Sequence, residues 1–179
     1  MDQARRERNT SILEWFDALL FALTLVLVVL LLVVRTVNVD GVSMVPTLQD
    51  GEQLIVRGIF YTPKYGDIVV VDGYTNYGEP IVKRVIGMGG DLVDINFETG
   101  DVIVNGTILN EPYISDLTTR KFDVEFPLVV PEGTLFLLGD NRPYSKDSRH
   151  SEIGCIDERD ILGEVIFRIL PISAFGTVE

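Results

Sequence analysis

The chain has 179 residues, 15 of them Lys or Arg and 27 Asp or Glu, which gives a formal net charge of −12. This length suits one domain of ordinary size plus a short further segment. The acidic excess argues against nucleic-acid binding, because phosphate contacts require positive charge. The single cysteine, Cys155, cannot form an internal disulfide, and we interpret it as a packed, neutral thiol.

The N-terminal 35 residues predict a membrane anchor. Residues 1–14 are polar and carry three arginines, and Ser11 to Glu14 has the pattern of a capping box that opens a helix. Residues 15–35 are predominantly apolar, and their only charged residues are Asp17 and the closing Arg35. About 20 residues of helix span about 30 Å, which is one hydrocarbon thickness. We therefore predict one transmembrane helix over residues 15–35.

The flanking charges predict the orientation of this anchor. Arginines before the helix favour a cytoplasmic N-terminus, with the rest of the chain outside the cytoplasm at the plasma membrane. A cleaved signal peptide is the alternative interpretation. It fits less well, because the apolar run is long and no small-x-small pair follows it.

The stretch from Asp40 to Leu48 presents a candidate nucleophile, Ser43. Gly41 allows close approach of another chain because it has no Cβ, and Pro46 stiffens the segment by fixing its own φ. A rigid serine at such a place suits nucleophilic attack. Most serines in this context only satisfy turns, so Ser43 alone does not establish catalysis.

A second candidate lies in the predicted strand of residues 81–86. Alternation places Ile81, Lys83 and Val85 on one face of this strand. Burial lowers the pKa of a lysine by up to about 3–5 units, which would make Lys83 a usable general base. The alternative is a lysine whose amine extends to solvent.

Residues 91–132 are predicted to form a small β insert. Asn105-Gly106 between two apolar runs predicts a hairpin with a type I′ turn. The same residues begin a glycosylation sequon with Thr107, but the turn explains them sufficiently.

The third segment, residues 139–149, is rich in turn-forming and polar residues. A turn is the simplest interpretation. Ser145, Asp147 and Arg149 would share one face if the segment were extended. Asp147 and Arg149 could then pair, and Ser145 could orient another side chain.

The sequence after the anchor predicts strands and shows no helical periodicity. Apolar and β-branched runs at 53–56, 68–71, 81–86, 133–138 and 161–170 are separated by turn residues. We therefore expect an all-β, largely antiparallel ectodomain, with residues 36–90 and 133–179 forming the core around the insert.

In this order the three segments resemble the bacterial type I signal peptidases. The matching pieces are Ser-Met-x-Pro-Thr-Leu at 43–48, Lys-Arg-Val-Ile-Gly at 83–87 and Gly-Asp-Asn-Arg…Ser-x-Asp-Ser-Arg at 139–149. Residues 163–171 are similar to the last strand of the family. The single anchor and the short insert resemble the Gram-positive members.

The resemblance implies a Ser/Lys dyad in which Ser43 attacks the scissile carbonyl and Lys83 accepts its proton. It also implies a set of supporting residues, Ser145, Asp147, Arg149, Gly139 and Asp140, of which Ser145 orients Lys83 and Asp147 pairs with Arg149. The expected substrate-binding residues are Gly41, Met44 and Ile81. The core, residues 36–90 and 133–179, would be the catalytic domain.

The partners implied by the resemblance are translocated preproteins with small-x-small cleavage sites, membrane phospholipid and the secretion translocon. Neither a cofactor nor a metal is expected. The sequence departs from some members at Gly41, where a serine hydroxyl would help to stabilise the oxyanion. His150 matches no role in the family, and we interpret it as a solvated surface residue.

Two alternatives remain open. Self-cleaving SOS-response repressors resemble this catalytic core and also use a Ser/Lys pair, but they carry a DNA-binding domain and no anchor. A membrane-tethered β module without enzymatic activity would leave Lys83 and Ser145 unexplained.

Overall fold

The computed structural model describes residues 14–28, 34–59, 61–73 and 78–178. The chain divides into two compact units, Met1–Arg35 and Thr36–Glu179. Residues 14–28 of the first unit are helical. Within the described ranges, no helix is both long enough and apolar enough to cross a membrane. Residues 29–33 of the predicted anchor, and the predicted capping residue Ser11, lie outside the described residues.

The predicted end of the anchor helix at Arg35 is wrong. Val34 and Arg35 belong to the first strand, β1 (Val34–Asn38). This strand contains Thr36 and Val37, and β-branched side chains favour extended backbone over helix.

The second unit is built from antiparallel sheets. The larger sheet contains eight strands of the described chain in the order β1-β2-β11-β3-β4-β9-β10, with β12 also pairing with β11. Its strands after β1 are β2 (Gln53–Arg57), β3 (Ile68–Val71), β4 (Ile81–Met88), β9 (Thr134–Leu138), β10 (Ile156–Asp157), β11 (Ile161–Leu170) and β12 (Gly176–Thr177). The five strand predictions are thus confirmed as β2, β3, β4, β9 and β11, within one or two residues.

The smaller sheet has the order β7-β6-β5-β8. Its strands are β5 (Leu92–Asn96), β6 (Asp101–Val104), β7 (Thr107–Ile108) and β8 (Leu128–Val129). Asn105 and Gly106 have φ of 51° and 79° between β6 and β7. A type I′ turn requires positive φ at both central residues, so the predicted hairpin is confirmed.

Buried apolar residues on the larger sheet fix the segment that carries Ser43. Met44 and Leu48 are almost fully buried in one cluster with Leu54, Val56 and Val70 of β2 and β3. Burying a side chain of this size contributes about 1.5–3 kcal/mol. The flanking residues Met44 and Leu48 therefore hold the short segment of Ser43 against the sheet.

Candidate active site

Ser43 and Lys83 meet although 40 residues separate them in the chain. The Nζ of Lys83 donates hydrogen bonds to the Oγ of Ser43 at 2.8 Å and to the carbonyl of Val82 at 2.9 Å. Lys83 is only 3% exposed. With a neutral amine, the same distance lets the nitrogen lone pair accept the proton of the hydroxyl.

The position of Lys83 on β4 explains its burial. Lys83 pairs with Val69 of β3, and the next residue, Arg84, pairs with both Ile68 and Leu138. Leu138 is the last residue of β9, so the segment 139–149 begins beside Lys83. Burial lowers the pKa of Lys83 to about 8, against an opposing effect of the carboxylates of Asp147 and Asp140. At pH 7.4 about one fifth of such an amine is neutral.

The segment 139–149 donates hydrogen bonds to the backbone carbonyls of Val42 and Ser43. The N–H of Asn141 donates to the carbonyl of Ser43 at 3.0 Å. The side-chain amide of Asn141 donates to the carbonyl of Val42 at 2.9 Å. Asn141 therefore holds the backbone of the Ser43 segment in place through two hydrogen bonds.

Ser145 is fully buried, close to Gly139 and to the Ser43 carbonyl. A Cβ built on Gly139 would lie 2.2 Å from the Ser145 Oγ and 2.5 Å from the Ser43 carbonyl oxygen, so only glycine fits there. Among the described residues the Ser145 hydroxyl has no hydrogen-bond partner. The hydrogen bond from Ser145 to Lys83 that the family resemblance implies therefore stays a prediction.

The segment 139–149 forms turns rather than the extended strand needed for a shared face, but Asp147 and Arg149 do pair. The Nε and Nη2 of Arg149 donate to the two carboxylate oxygens of Asp147 at 2.8 and 2.9 Å. Both side chains are fully buried. Asp147 also accepts from the N–H of Gly139 at 3.1 Å. The pair thus closes the turn that carries Ser145.

Asp140 forms a second buried ion pair, with Arg84 of β4. The Nε and Nη2 of Arg84 donate to Asp140 at 2.9 and 2.7 Å. Asp140 also accepts from the hydroxyl of Thr47 at 2.5 Å. This carboxylate therefore connects β4 to the Ser43 segment. The sequence did not identify Asp140 as the partner of Arg84.

An open cleft lies over Ser43 and Lys83. Its walls are residues 37–44 on one side and residues 79–83 on the other, with Val70, Tyr144 and Lys146 completing them. The three predicted substrate-binding residues, Gly41, Met44 and Ile81, all line it. Met44 is 1% exposed, so most of its side chain belongs to the core.

Gly41 adopts a conformation that favours glycine, with φ of 88°. Its N–H donates to the carboxylate of Asp50 at 2.8 Å. Because this donor is occupied, it is not available to an oxyanion. Within the described residues the backbone N–H of Ser43 donates no hydrogen bond, so it stays available at the cleft. Sequence reasoning did not foresee the role of Asp50.

Three further residues lie in surroundings unlike those of Ser43 and Lys83. His150 is half-buried, with its ring 5.5 Å from that of Phe122, so it is less solvated than predicted. Cys155 packs against the core of the smaller sheet, and burial raises the pKa of its thiol. Tyr61 packs on the core and donates to Asp67 at 2.7 Å.

The described ranges contain no group of three or more His, Cys, Asp or Glu side chains arranged to hold a metal ion. The chemistry that the cleft supports is carried by Ser43 and Lys83: a hydroxyl in hydrogen-bond contact with a buried amine. This arrangement suits nucleophilic attack on a carbonyl.

Comparison with known proteins gives concordant matches. A family model described as "Signal peptidase, peptidase S26" matches residues 12–170. Signal peptidase I of Bacillus licheniformis is 35% identical over 182 residues, which cover 96% of each chain. Signal peptidase IB of Staphylococcus aureus (strain COL) is 37% identical over 183 residues, covering 92% of this chain and 93% of the relative.

A solved structure shares the fold. The crystal structure of a signal peptidase I from Enterococcus faecalis V583 aligns with a TM-score of 0.50 and 30% identity, covering 59% of this chain and 97% of the other. The family match spans every residue that lines the cleft.

Proposed function

Since the chain belongs to the signal peptidase family, peptidase S26, and is a serine endopeptidase, we propose that it removes signal peptides from preproteins with a dyad of Ser43 and Lys83. The main support for the dyad is the 2.8 Å contact between the Ser43 Oγ and the Nζ of Lys83, a lysine that is only 3% exposed.

The neutral amine of Lys83 takes the proton of the Ser43 hydroxyl as its oxygen attacks the scissile carbonyl carbon. The tetrahedral intermediate then collapses, the carbon–nitrogen bond breaks, and the protonated Lys83 gives its proton to the leaving amine. A water molecule, activated by the same amine, cleaves the acyl-enzyme and releases the signal peptide.

The negative charge of the tetrahedral intermediate needs a donor. The backbone N–H of Ser43 supplies one, since the N–H of Gly41 is bonded to Asp50. Because Gly41 has no hydroxyl, this chain lacks the side-chain donor that some relatives have at that position.

The cleft suits an extended peptide. Residues Ile81 to Lys83 pair with β3 on one side, whereas the pairing of β4 with β9 starts only at Arg84. The other side of β4 at residues 81–83 is therefore open for a substrate strand, with backbone hydrogen bonds giving affinity. Alternate substrate side chains would point into the cleft, consistent with small-x-small specificity at Gly41, Met44 and Ile81.

The N-terminal helix supports membrane attachment. Residues 14–28 are helical, and their large apolar side chains are exposed. We place the N-terminus in the cytoplasm and residues 36–179 outside it, where translocated preproteins, phospholipid and the translocon are within reach. Ser145, Asp147, Arg149, Gly139 and Asp140 support the dyad by fixing the segment next to Lys83.

The test is cleavage of a purified preprotein with an Ala-x-Ala site by the full chain in phospholipid vesicles. Wild type is expected to cut after the second alanine. Ser43→Ala and Lys83→Arg are expected to be inactive, since a guanidinium stays protonated and cannot act as a base. A folded Lys83→Arg variant with more than a few per cent of wild-type turnover would exclude Lys83 as the base.

A further inference from the structure

The loop that connects β7 to β8, residues 109–127, reaches the active-site segment. Within this connecting loop, Glu111 accepts two hydrogen bonds from the guanidinium of Arg142, at 2.6 and 3.0 Å. The same guanidinium donates to the hydroxyl of Thr118 at 2.6 Å. Arg142 is fully buried, and the Glu111 side chain is 6% exposed. This contact joins the smaller sheet to the segment 139–149.

Arg142 connects Glu111 to the backbone of the segment 139–149. Its Nε donates to the carbonyl of Gly139 at 3.0 Å. Gly139 lies against both Ser145 and the Ser43 carbonyl. A bidentate ion pair is more directional than a single charge contact. Through Arg142, Glu111 therefore fixes Gly139, the first residue of the segment 139–149, which in turn contacts the backbone of Ser43.

Tyr113 of the connecting loop reaches the second buried arginine. The centre of its ring lies 4.0 Å from the Cζ of Arg84, in cation–π contact. Its hydroxyl donates to Glu111 at 2.9 Å. Arg84 in turn pairs with Asp140, which accepts from Thr47 in the Ser43 segment.

Three buried ion pairs lie together beside Lys83, and their formal charges sum to zero. They are Arg84 with Asp140, Arg142 with Glu111, and Arg149 with Asp147. Asp140 and Asp147 are the carboxylates that act on the Lys83 amine. The carboxylate of Asp147, like that of Glu111, favours the positive charge of Arg142. The negative charge of Glu111 thus neutralises Arg142. Without Glu111, the positive charge of Arg142 would weaken the electrostatic effect of Asp147 on Lys83.

We propose that Glu111 and Tyr113 are positioning residues for cleavage at Ser43, and that they act by holding Arg142 and Arg84 in a charge-neutral cluster beside Lys83. The proposal rests on the proposed function, because its role is to align the dyad. Neither residue lines the cleft of the dyad, so both act through other side chains.

The first test compares Glu111→Gln, Arg142→Gln and the double variant in preprotein cleavage by the full chain. The matched control is Glu125→Gln, which removes a carboxylate of the same loop that is 88% exposed. We expect kcat of Glu111→Gln to fall roughly tenfold or more with KM within about twofold, because misalignment affects the chemical step. Glu125→Gln should match wild type.

The dependence of kcat/KM on pH distinguishes the positioning role from a purely structural one, because a purely structural role would not shift the pH profile. Glu111→Gln leaves a net positive cluster, so the acid limb of kcat/KM should move to lower pH by about half a unit. Arg142→Gln leaves a net negative cluster, so its acid limb should move to higher pH. The double variant should return to the wild-type limb while staying slower.

A second measurement does not depend on cleavage. The chain has four lysines, Lys64, Lys83, Lys121 and Lys146, so ¹³C-labelled lysine lets NMR follow the titration of Lys83, assigned by its loss in Lys83→Met. The two single variants should shift this titration in opposite directions, even if no preprotein is cut. Absence of cleavage with these shifts would overturn the proposed function, while still showing that Glu111 and Arg142 set the charge around Lys83.

Wild-type kinetics and titration in Glu111→Gln would overturn the positioning role, as would shifts of the same sign in both single variants. Tyr113 has its own comparison. Tyr113→Phe keeps the ring over Arg84 and should stay within about threefold of wild-type kcat, whereas Tyr113→Leu should resemble Glu111→Gln. Equal activity of the two Tyr113 variants would exclude the stacking contact.

Discussion

At the scale of single residues, the proposed chemistry depends on one lysine whose burial opposes its positive charge. Lys83 is buried among apolar strands with a hydroxyl and a carbonyl as its partners. Burial disfavours the charged amine, and the same effect makes the neutral base available near physiological pH. Activity and stability are therefore opposed at this position.

Lys83→Met should stabilise the protein at pH 7. The ordinary pKa of lysine, 10.5, falls to about 8 on folding. Below pH 8 both states are protonated and the native state carries the full cost of a buried charge, about 3 kcal/mol at 1.36 kcal/mol per pKa unit. Between pH 8 and 10.5 the unfolded state binds a proton that the native state lacks, so wild-type stability rises.

Urea unfolding of wild type and Lys83→Met at pH 7 and pH 10 measures this difference. The advantage of the methionine variant should be largest at pH 7 and mostly gone at pH 10. A variant that is no more stable than wild type at pH 7, or a gap that does not change with pH, would contradict the burial cost.

Ser145 is expected to act only through Lys83. Among the described residues the Ser145 hydroxyl has no partner, so an orienting role requires that its hydrogen bond to Lys83 form in the reacting complex. Losing that bond should cost roughly 1–3 kcal/mol, or about five- to 150-fold in rate. Ser145→Ala should therefore be slow but measurable, and Ser145→Thr milder, with the acid limb of kcat/KM shifted in the alanine variant. Wild-type kinetics of Ser145→Ala, or a loss as complete as in Ser43→Ala, would exclude an orienting role.

At the scale of elements, the site is assembled where β9 ends beside β4. Gly139 follows β9 directly and permits the segment 139–149 to pass against the Ser43 carbonyl. The neighbouring Asn141 then holds that carbonyl and the carbonyl of Val42. The geometry of the dyad thus depends on a close backbone approach as much as on the two reacting side chains.

Gly139→Ala should disturb both neighbours at once. The added Cβ would lie 2.2 Å from the Ser145 Oγ and 2.5 Å from the Ser43 carbonyl oxygen. We expect kcat/KM to fall roughly a hundredfold from misalignment, with a stability loss of about 1–3 kcal/mol. Gly176→Ala is the control, since an added Cβ there meets nothing within 4 Å. Equal activity of the two variants would show that the close approach is not needed.

The sequence predicted the strands, and it singled out the two residues of the proposed dyad, but it did not predict the contacts around them. Apolar β-branched runs and an Asn-Gly turn are local signals, so β3, β4 and the β6–β7 hairpin could be predicted. The stacking of Tyr113 on Arg84 and the pairing of Glu111 with Arg142 join distant segments. No spacing rule indicates such contacts, and the two-residue strands β7, β8, β10 and β12 are too short for a periodic signal.

At the scale of the whole molecule, the proposed catalysis and the proposed membrane attachment belong to separate compact units. Residues 36–179 contain the dyad, the cleft and the ion pairs. The described part of the first unit is a helix whose apolar side chains, such as Trp15 and Phe21, are 80% and 73% exposed. Exposed apolar surface on this scale is what the proposed membrane attachment requires.

Removal of residues 1–33 should release the protein from membranes without unfolding it, because β1 and the sheet remain intact. After an alkaline wash, the full chain should sediment with phospholipid vesicles and the shorter chain should stay in the supernatant. Circular dichroism should show the same β content for the larger unit. Equal sedimentation of both chains would show that attachment lies outside the N-terminal segment.

The dependence of kcat/KM on pH, measured for the full chain on a preprotein with an Ala-x-Ala site, tests the Ser43/Lys83 dyad most directly. Because the base must be neutral and burial lowers the pKa of Lys83 to about 8, the rate should rise tenfold per pH unit below that value and level off above it. A rate that does not change between pH 6 and 9, or one that levels off below pH 6, would contradict Lys83 as the general base.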